Sequence, residues 1–171
     1  ERVLEVAEHM QNHSDLLFLL VGDGAEKTRL KQLAEQKQLR NVRFEGFIGR
    51  DVYPDLLKIC SLGLVCLSPQ NQTPVVPGKI LGYMAAGLPV IAFLQSQSDG
   101  HSIVQAAKCG MTADSADLAA CVEAFRKMLK QSERLEEIGS AGKNYATQHF
   151  SKEACVTEME RMLTRAKEPS R

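Results

Sequence analysis

Apolar residues along this 171-residue chain alternate between strand-like and helix-like spacing from Val3 to Ala113, and the spacing is helical thereafter. The strand-like runs, such as Leu16 to Val21, are almost purely apolar. Most of the loops that follow them are rich in Gly, Pro, Ser, Asn or Gln. These observations predict an α/β fold, a doubly wound parallel sheet covered by helices on both faces, with a helical C-terminal segment.

Each element has its own signal. Val3, Val6, Ala7 and Met10 form the stripe of a first helix. Leu16–Val21 is a buried strand ended by Gly22-Asp23-Gly24. Leu30, Leu33 and Ala34 mark a second helix among charged neighbours. Val42, Phe44 and Gly46 alternate with Arg43 and Glu45, which predicts a strand. A short helix is expected over Val52 to Cys60, with Pro54 in its first turn and Asp51 as its cap. Leu62–Leu67 is the next strand. Lys79–Ala86 reads as a helix closed by Gly87. Pro89–Leu94 is a strand, Ser102–Lys108 a helix followed by Gly110, and Met111–Ala113 a last strand. All five strands are expected in one parallel sheet. Three further helices carry the stripes Leu118, Val122, Phe125, Leu129; Leu135, Ile138; and Val156, Met159, Leu163. Ser132 and Ser151 are the expected caps of the last two. Met84, Met111, Met128, Met159 and Met162 fall at core-like positions. Residues 1–165 are expected to form one domain and residues 166–171 a frayed tail.

Composition narrows the function. Lys and Arg number 21 and Asp and Glu number 21, so the chain lacks the basic surface that a nucleic-acid binder needs. Aromatics are 5% and Trp is absent, which also disfavours stacking platforms for single strands. No apolar run approaches the ~18 residues of a membrane span. Five cysteines without a CxxC pair, and four scattered histidines, offer no metal spacing. The cysteines read instead as small buried hydrophobes in a reducing compartment. The chain opens on Glu1 inside an amphipathic helix pattern, which reads as a cut within a longer protein.

In a doubly wound sheet, ligands sit at the carboxyl ends of the strands. The site is therefore expected on the loops after Val21, Phe47, Leu67 and Leu94. Gly22-Asp23-Gly24 lets backbone approach a ligand at a helix start, or is simply a tight turn. Pro77-Gly78 opens a helix whose first turn holds Lys79. A cation there opposes the positive end of the helix dipole, and a phosphate group would resolve the conflict.

Gly22-Asp23-Gly24, the segment Asn41 to Ile48 and the segment Pro77 to Ala92 together resemble the C-terminal, donor-binding half of glycosyltransferase family 4. These are retaining, nucleotide-sugar-dependent enzymes of the GT-B fold, and the closest subgroup is that of bacterial cell-envelope polysaccharide enzymes. The likeness runs from about Glu1 to Leu163. It implies a Rossmann-like half that binds a nucleotide sugar, most simply a UDP-sugar, with no metal or other cofactor. It implies that Gly22 and Asp23 lie beside the donor cleft, Gly46, Phe47 and Ile48 against the nucleobase, and Pro77, Gly78 and Lys79 at the donor-facing helix. Lys79 and the adjacent helix start would support the departing diphosphate.

The chain departs from the family where many members carry two glutamates, the second gripping the ribose. Pro74 and Gly82 stand there. The resemblance also implies that a first strand, a diphosphate-holding Arg/Lys pair and an acceptor-binding N-terminal domain precede Glu1. The acceptor would be lipid-linked or a saccharide, at the cytoplasmic face of the membrane. Tyr83 is read as facing either cleft or core. His101 is read as a solvated loop and cap residue, with a sugar-contact or general-acid role as the alternative. The alternatives for the whole chain are a sugar-nucleotide epimerase half and a non-catalytic domain that serves in assembly.

Overall fold

The computed structural model describes residues 1–70 and 75–166. In chain order the elements are α1 (Arg2–His9), β1 (Phe18–Val21), α2 (Lys27–Gln36), β2 (Val42–Glu45), α3 (Tyr53–Ile59), β3 (Gly63–Cys66), α4 (Gly78–Ala86), β4 (Val90–Leu94), α5 (Gly100–Ala106), β5 (Gly110–Asp114), α6 (Leu118–Leu129), α7 (Leu135–Phe150) and α8 (Lys152–Ala166). Residues 167–171, most of the expected tail, lie outside the described residues.

Every strand pair is parallel. Phe18 to Val21 run beside Val42 to Glu45, and β4 lies between β3 and β5. The expected single sheet is nevertheless two hydrogen-bonded sheets, β1-β2 and β3-β4-β5. β1 and β3 share a core without a ladder. Phe18 and Leu20 pack in the same cluster as Leu64 and Cys66, but their backbones are not paired. Burial follows from this. All five residues of β4, flanked on both edges, are buried. In all-apolar β1 only Phe18 is buried, and in β3 only Gly63 and Val65.

β4 shows the doubly wound arrangement directly. Ile91 and Phe93 face the cluster built with α1 and α6, where Phe18 and Phe125 stack with ring centroids 5.0 Å apart. Val90, Ala92 and Leu94 face the opposite cluster with Ile80, Met84 and Val104. The period of two thus sends successive side chains to two helical layers.

Several caps differ from expectation. Val52, not Asp51, sits at the N-cap of α3, with no side-chain bond, and Pro54 lies in the first turn. Ser132 begins a three-residue 3-10 turn that runs into α7, whose cap is Arg134. Gly87 ends α4 at φ 76°, as its position predicts. The left-handed residue after α5 is Lys108 at φ 50°, not Gly110. The Ser151 hydroxyl accepts the Ala154 N–H at 3.1 Å and opens α8. Met84 and Met128 are fully buried, whereas Met159, Met162 and Leu163 are more than 60% exposed and Val156 is exposed as well. The α8 stripe is not core because α8 packs chiefly on α7.

Gly139 lets α7 cross the end of α4, since a Cβ there would overlap the Gly87 carbonyl oxygen. Gly82 on α4 is exposed, with open space around it. Gly139→Ala is expected to lower stability in urea unfolding by about 1–3 kcal/mol through overpacking. Gly82→Ala should raise it by about 0.5–1 kcal/mol, because alanine loses less entropy in a helix. Equal effects of the two would contradict this packing. The unpaired edges of β1 and β3 also predict concentration-dependent self-association in sedimentation velocity; strictly monomeric behaviour up to high concentration would count against it.

Candidate donor site at the carboxyl strand ends

The loops after β1 and β2 are tied together. Gly22 turns the chain at φ 134°, a conformation that disfavours any residue with a Cβ. One Asp23 carboxylate oxygen takes an ion pair from Lys27 at 2.6 Å. The other accepts the Phe47 N–H at 3.1 Å. The Lys27 ammonium also donates to the Gly22 carbonyl and the Glu45 carbonyl, each at 2.8 Å. Asp23 is therefore engaged within the protein. Its carboxyl is held below the usual aspartate range, first by the Lys27 hydrogen bond and then by the Phe47 amide. Phe47 itself is 77% exposed, Gly46 is exposed and Ile48 is half-buried.

The second group lies at the start of α4. Pro77 is the N-cap, in extended conformation, with no side-chain cap and no acidic residue in the first turn. The Ile80 N–H bonds back to the Pro77 carbonyl at 2.9 Å. Gly78 and Lys79 are exposed, and Lys79 has no hydrogen bond or ion pair among the described residues. The Ser98 hydroxyl, in the loop after β4, donates to the Val75 carbonyl at 2.7 Å and anchors the segment leading into the helix. Sequence reasoning missed Ser98 and Lys27. Lys27 carries a legible signal, a cation four residues beyond Asp23 at a helix start.

The other candidates fall elsewhere. Tyr83 packs against Gly63, the first residue of β3, so it lies at the amino end of the strands and in the core. Burial, and then Tyr53 beside it, pushes its hydroxyl up to about 12. Of the two readings of Tyr83, the structure supports core. His101 has both ring nitrogens engaged, one with the Thr112 hydroxyl at 2.8 Å and the other with the Gln95 carbonyl at 3.2 Å. Those bonds tie α5 to β5 and to the loop after β4, so the imidazole links these elements. Gly82 offers no group to a ribose, and Pro74 lies outside the described residues. Among the described residues no cluster of His, Cys, Asp or Glu could hold a metal ion. No described helix is long and apolar enough to cross a membrane. Two surface hollows, of about 640 and 520 Å³, border α2 and β2 and the residues around His13, away from both groups.

Parallel α/β layers, with glycine turns at the strand ends and a helix start without a side-chain cap, define the doubly wound class. Residues 1–145 match the family described as glycosyl transferases group 1, and the chain belongs to that family, as the C-terminal half of its GT-B fold. It is 34% identical over 87 residues to the putative colanic acid biosynthesis glycosyl transferase WcaI of Escherichia coli, covering 51% of this chain and 21% of that protein. It is 32% identical over 87 residues to the UDP-glycosyltransferase TURAN of Arabidopsis thaliana, covering 50% and 18%. A crystal structure of an S. aureus TarM mutant in complex with fondaparinux, alpha-GlcNAc-glycerol and UDP superposes with a TM-score of 0.74. That match has 19% identity and covers 94% of this chain and 31% of TarM. The regions matched are thus about a fifth of the curated relatives' length.

The Asp23 environment has a pH signature. A carboxyl whose folded pKa is depressed adds stability above its unfolded pKa and loses it as pH falls through the folded value. The stability gap between wild type and Asp23→Asn should therefore be constant near neutrality and shrink below about pH 4. Carboxyl NMR titration should place Asp23 below the other exposed aspartates. An ordinary midpoint would show that the Lys27 and Phe47 bonds do not persist in solution.

Proposed function

We propose that this chain is the donor-binding half of a retaining glycosyltransferase. It binds a nucleotide sugar, UDP-linked, and supports the diphosphate as it departs. The observation that carries the reading is the Pro77-Gly78-Lys79 helix start, with no internal anion and an exposed lysine. Free N–H groups and a cation converge there, and a diphosphate would satisfy both. The exposed Phe47 ring on the braced turn suits a nucleobase face. The names of two relatives, one a UDP-glycosyltransferase and one crystallised with UDP, agree with that choice of base. No metal is required, because positive charge comes from the lysine and the helix dipole.

The whole protein, in this reading, transfers the sugar to a lipid-linked or saccharide acceptor at the cytoplasmic face of the membrane. An N-terminal domain supplies the acceptor site. The unpaired cysteines fit a reducing compartment. A strand leading into Glu1 would lie between β1 and β3. The order 2-1 and 3-4-5 is the doubly wound order with one central strand removed.

Lys79→Ala should weaken UDP binding by roughly 10- to 100-fold, the worth of a charge-assisted contact. Uridine binding should hardly change, and the fold should not lose stability, since removing a cation from a helix N-terminus is mildly favourable. Isothermal titration of both proteins with UDP and uridine is the measurement. Equal UDP affinity for both would make Lys79 a solvated lysine. A wild-type chain that binds neither ligand would move the assembly role ahead, with Gly82 facing open space as its structural counterpart.

A further inference from the structure

We propose that Lys27 is a positioning residue for the nucleobase side of the donor site, holding the Gly22–Gly24 turn and the Gly46–Ile48 turn in one fixed arrangement. The inference rests on the donor-binding reading above and adds a residue with no place in it. A lysine ammonium has three protons, and here each has an acceptor: the Gly22 carbonyl, the Asp23 carboxylate and the Glu45 carbonyl. The first and third are main-chain groups at the ends of neighbouring strands. The second passes the constraint on, because the same carboxylate accepts the Phe47 N–H. A continuous hydrogen-bonded path thus runs from the end of β2 through Lys27 and Asp23 back to the turn that carries Phe47.

The geometry is not needed to pair the strands. The β1-β2 register is complete from Phe18 opposite Val42 to Val21 opposite Glu45 without any side chain. Beyond Glu45, the hydrogen bond to Asp23 is what ties the Gly46–Ile48 turn to the β1 side among the described residues. Lys27 is also the first residue of α2, where a cation opposes the helix dipole. Three acceptors offset that cost, and the side chain is only 21% exposed, so the ammonium is committed to the turns and not to a ligand. An exposed aromatic ring on a loop binds a base well only if the loop does not have to be ordered on binding. Fixing Phe47's backbone before the ligand arrives is what Lys27 supplies.

The test separates this role from a general loss of structure. Lys27→Met keeps the aliphatic stem and removes the three donors. The wild type, Lys27→Met and Lys79→Ala are titrated with UDP, uridine and inorganic pyrophosphate, and amide hydrogen exchange is followed at Phe47, Leu20 and Phe44. Lys27→Met is expected to weaken UDP and uridine by about tenfold and to leave pyrophosphate unchanged. Lys79→Ala should do the reverse, weakening pyrophosphate and UDP but not uridine. Exchange should rise at Phe47 in Lys27→Met while Leu20 and Phe44 stay protected. Unchanged uridine affinity, or an equal loss for uridine and pyrophosphate, overturns the assignment to Lys27 while leaving the donor reading in place. A wild-type chain that binds none of the three ligands overturns the donor reading, and the role of Lys27 falls with it.

Discussion

Parallel strands cannot be joined by a tight turn, so each connection in this chain must climb back along the sheet, and it does so through a helix. That constraint decides where function can sit. Every strand points its carboxyl end at a loop and the start of the next helix, which gathers backbone N–H groups and polar loops along one edge. The Gly22 turn, the Gly46 turn, the α4 start and the Ser98 loop all lie just beyond strand ends for this reason. The opposite edge receives helix ends and packing residues, and Tyr83 against Gly63 belongs there.

Most of the elements were legible because burial on both faces leaves a strong mark. A strand such as Val90–Leu94 has no polar side, and short apolar runs bounded by Gly or Pro are hard to misread in that context. Gly87 and Ser151 were readable as helix ends because cap chemistry is local. Asp51 and Ser132 carried the same local chemistry and did not cap. At Asp51 the helix begins one residue later, and at Ser132 a 3-10 turn takes up the chain before α7 starts. The helical stripe of α8 is real, but amphipathicity records what a face is suited to meet, not what it meets. Val156, Met159 and Met162 are exposed for want of a neighbour that no local pattern describes.

The site was legible only where it involves backbone and position. The glycine turns and Lys79 announced themselves through conformational need and through charge at a helix start. The split between β1 and β3 could not be read, because a strand's sequence does not say whether both edges are paired. Gly110 was read as a helix stop, yet its role is close approach, since a Cβ there would overlap the Val90 carbonyl. Asp23 illustrates the limit on side chains. Its type and place suggest a group beside the ligand, but its two carboxylate oxygens are already taken by Lys27 and the Phe47 amide. Only the three-dimensional pairing of two turns reveals that the acid braces the site from within.

Lys27 and Lys79 pose the same electrostatic problem and resolve it differently. Each is a cation in the first turn of a helix, where the dipole and unpaired N–H groups already concentrate positive charge. Lys27 is offset by one carboxylate and two carbonyls, so an added anion would find its protons occupied. Lys79 has no such partner among the described residues, and the helix it opens carries no acid in its first turn. Of these two helix starts, α4 is therefore the one that still has favourable energy to offer an incoming anion, while the Lys27 ammonium at α2 is already committed. A ligand with a flat apolar end and a doubly charged end matches that division. In the proposed reading the flat end would meet the turn braced by Lys27, and the charged end the uncompensated field at α4. This asymmetry, more than the presence of two lysines, would in that reading orient a nucleoside diphosphate.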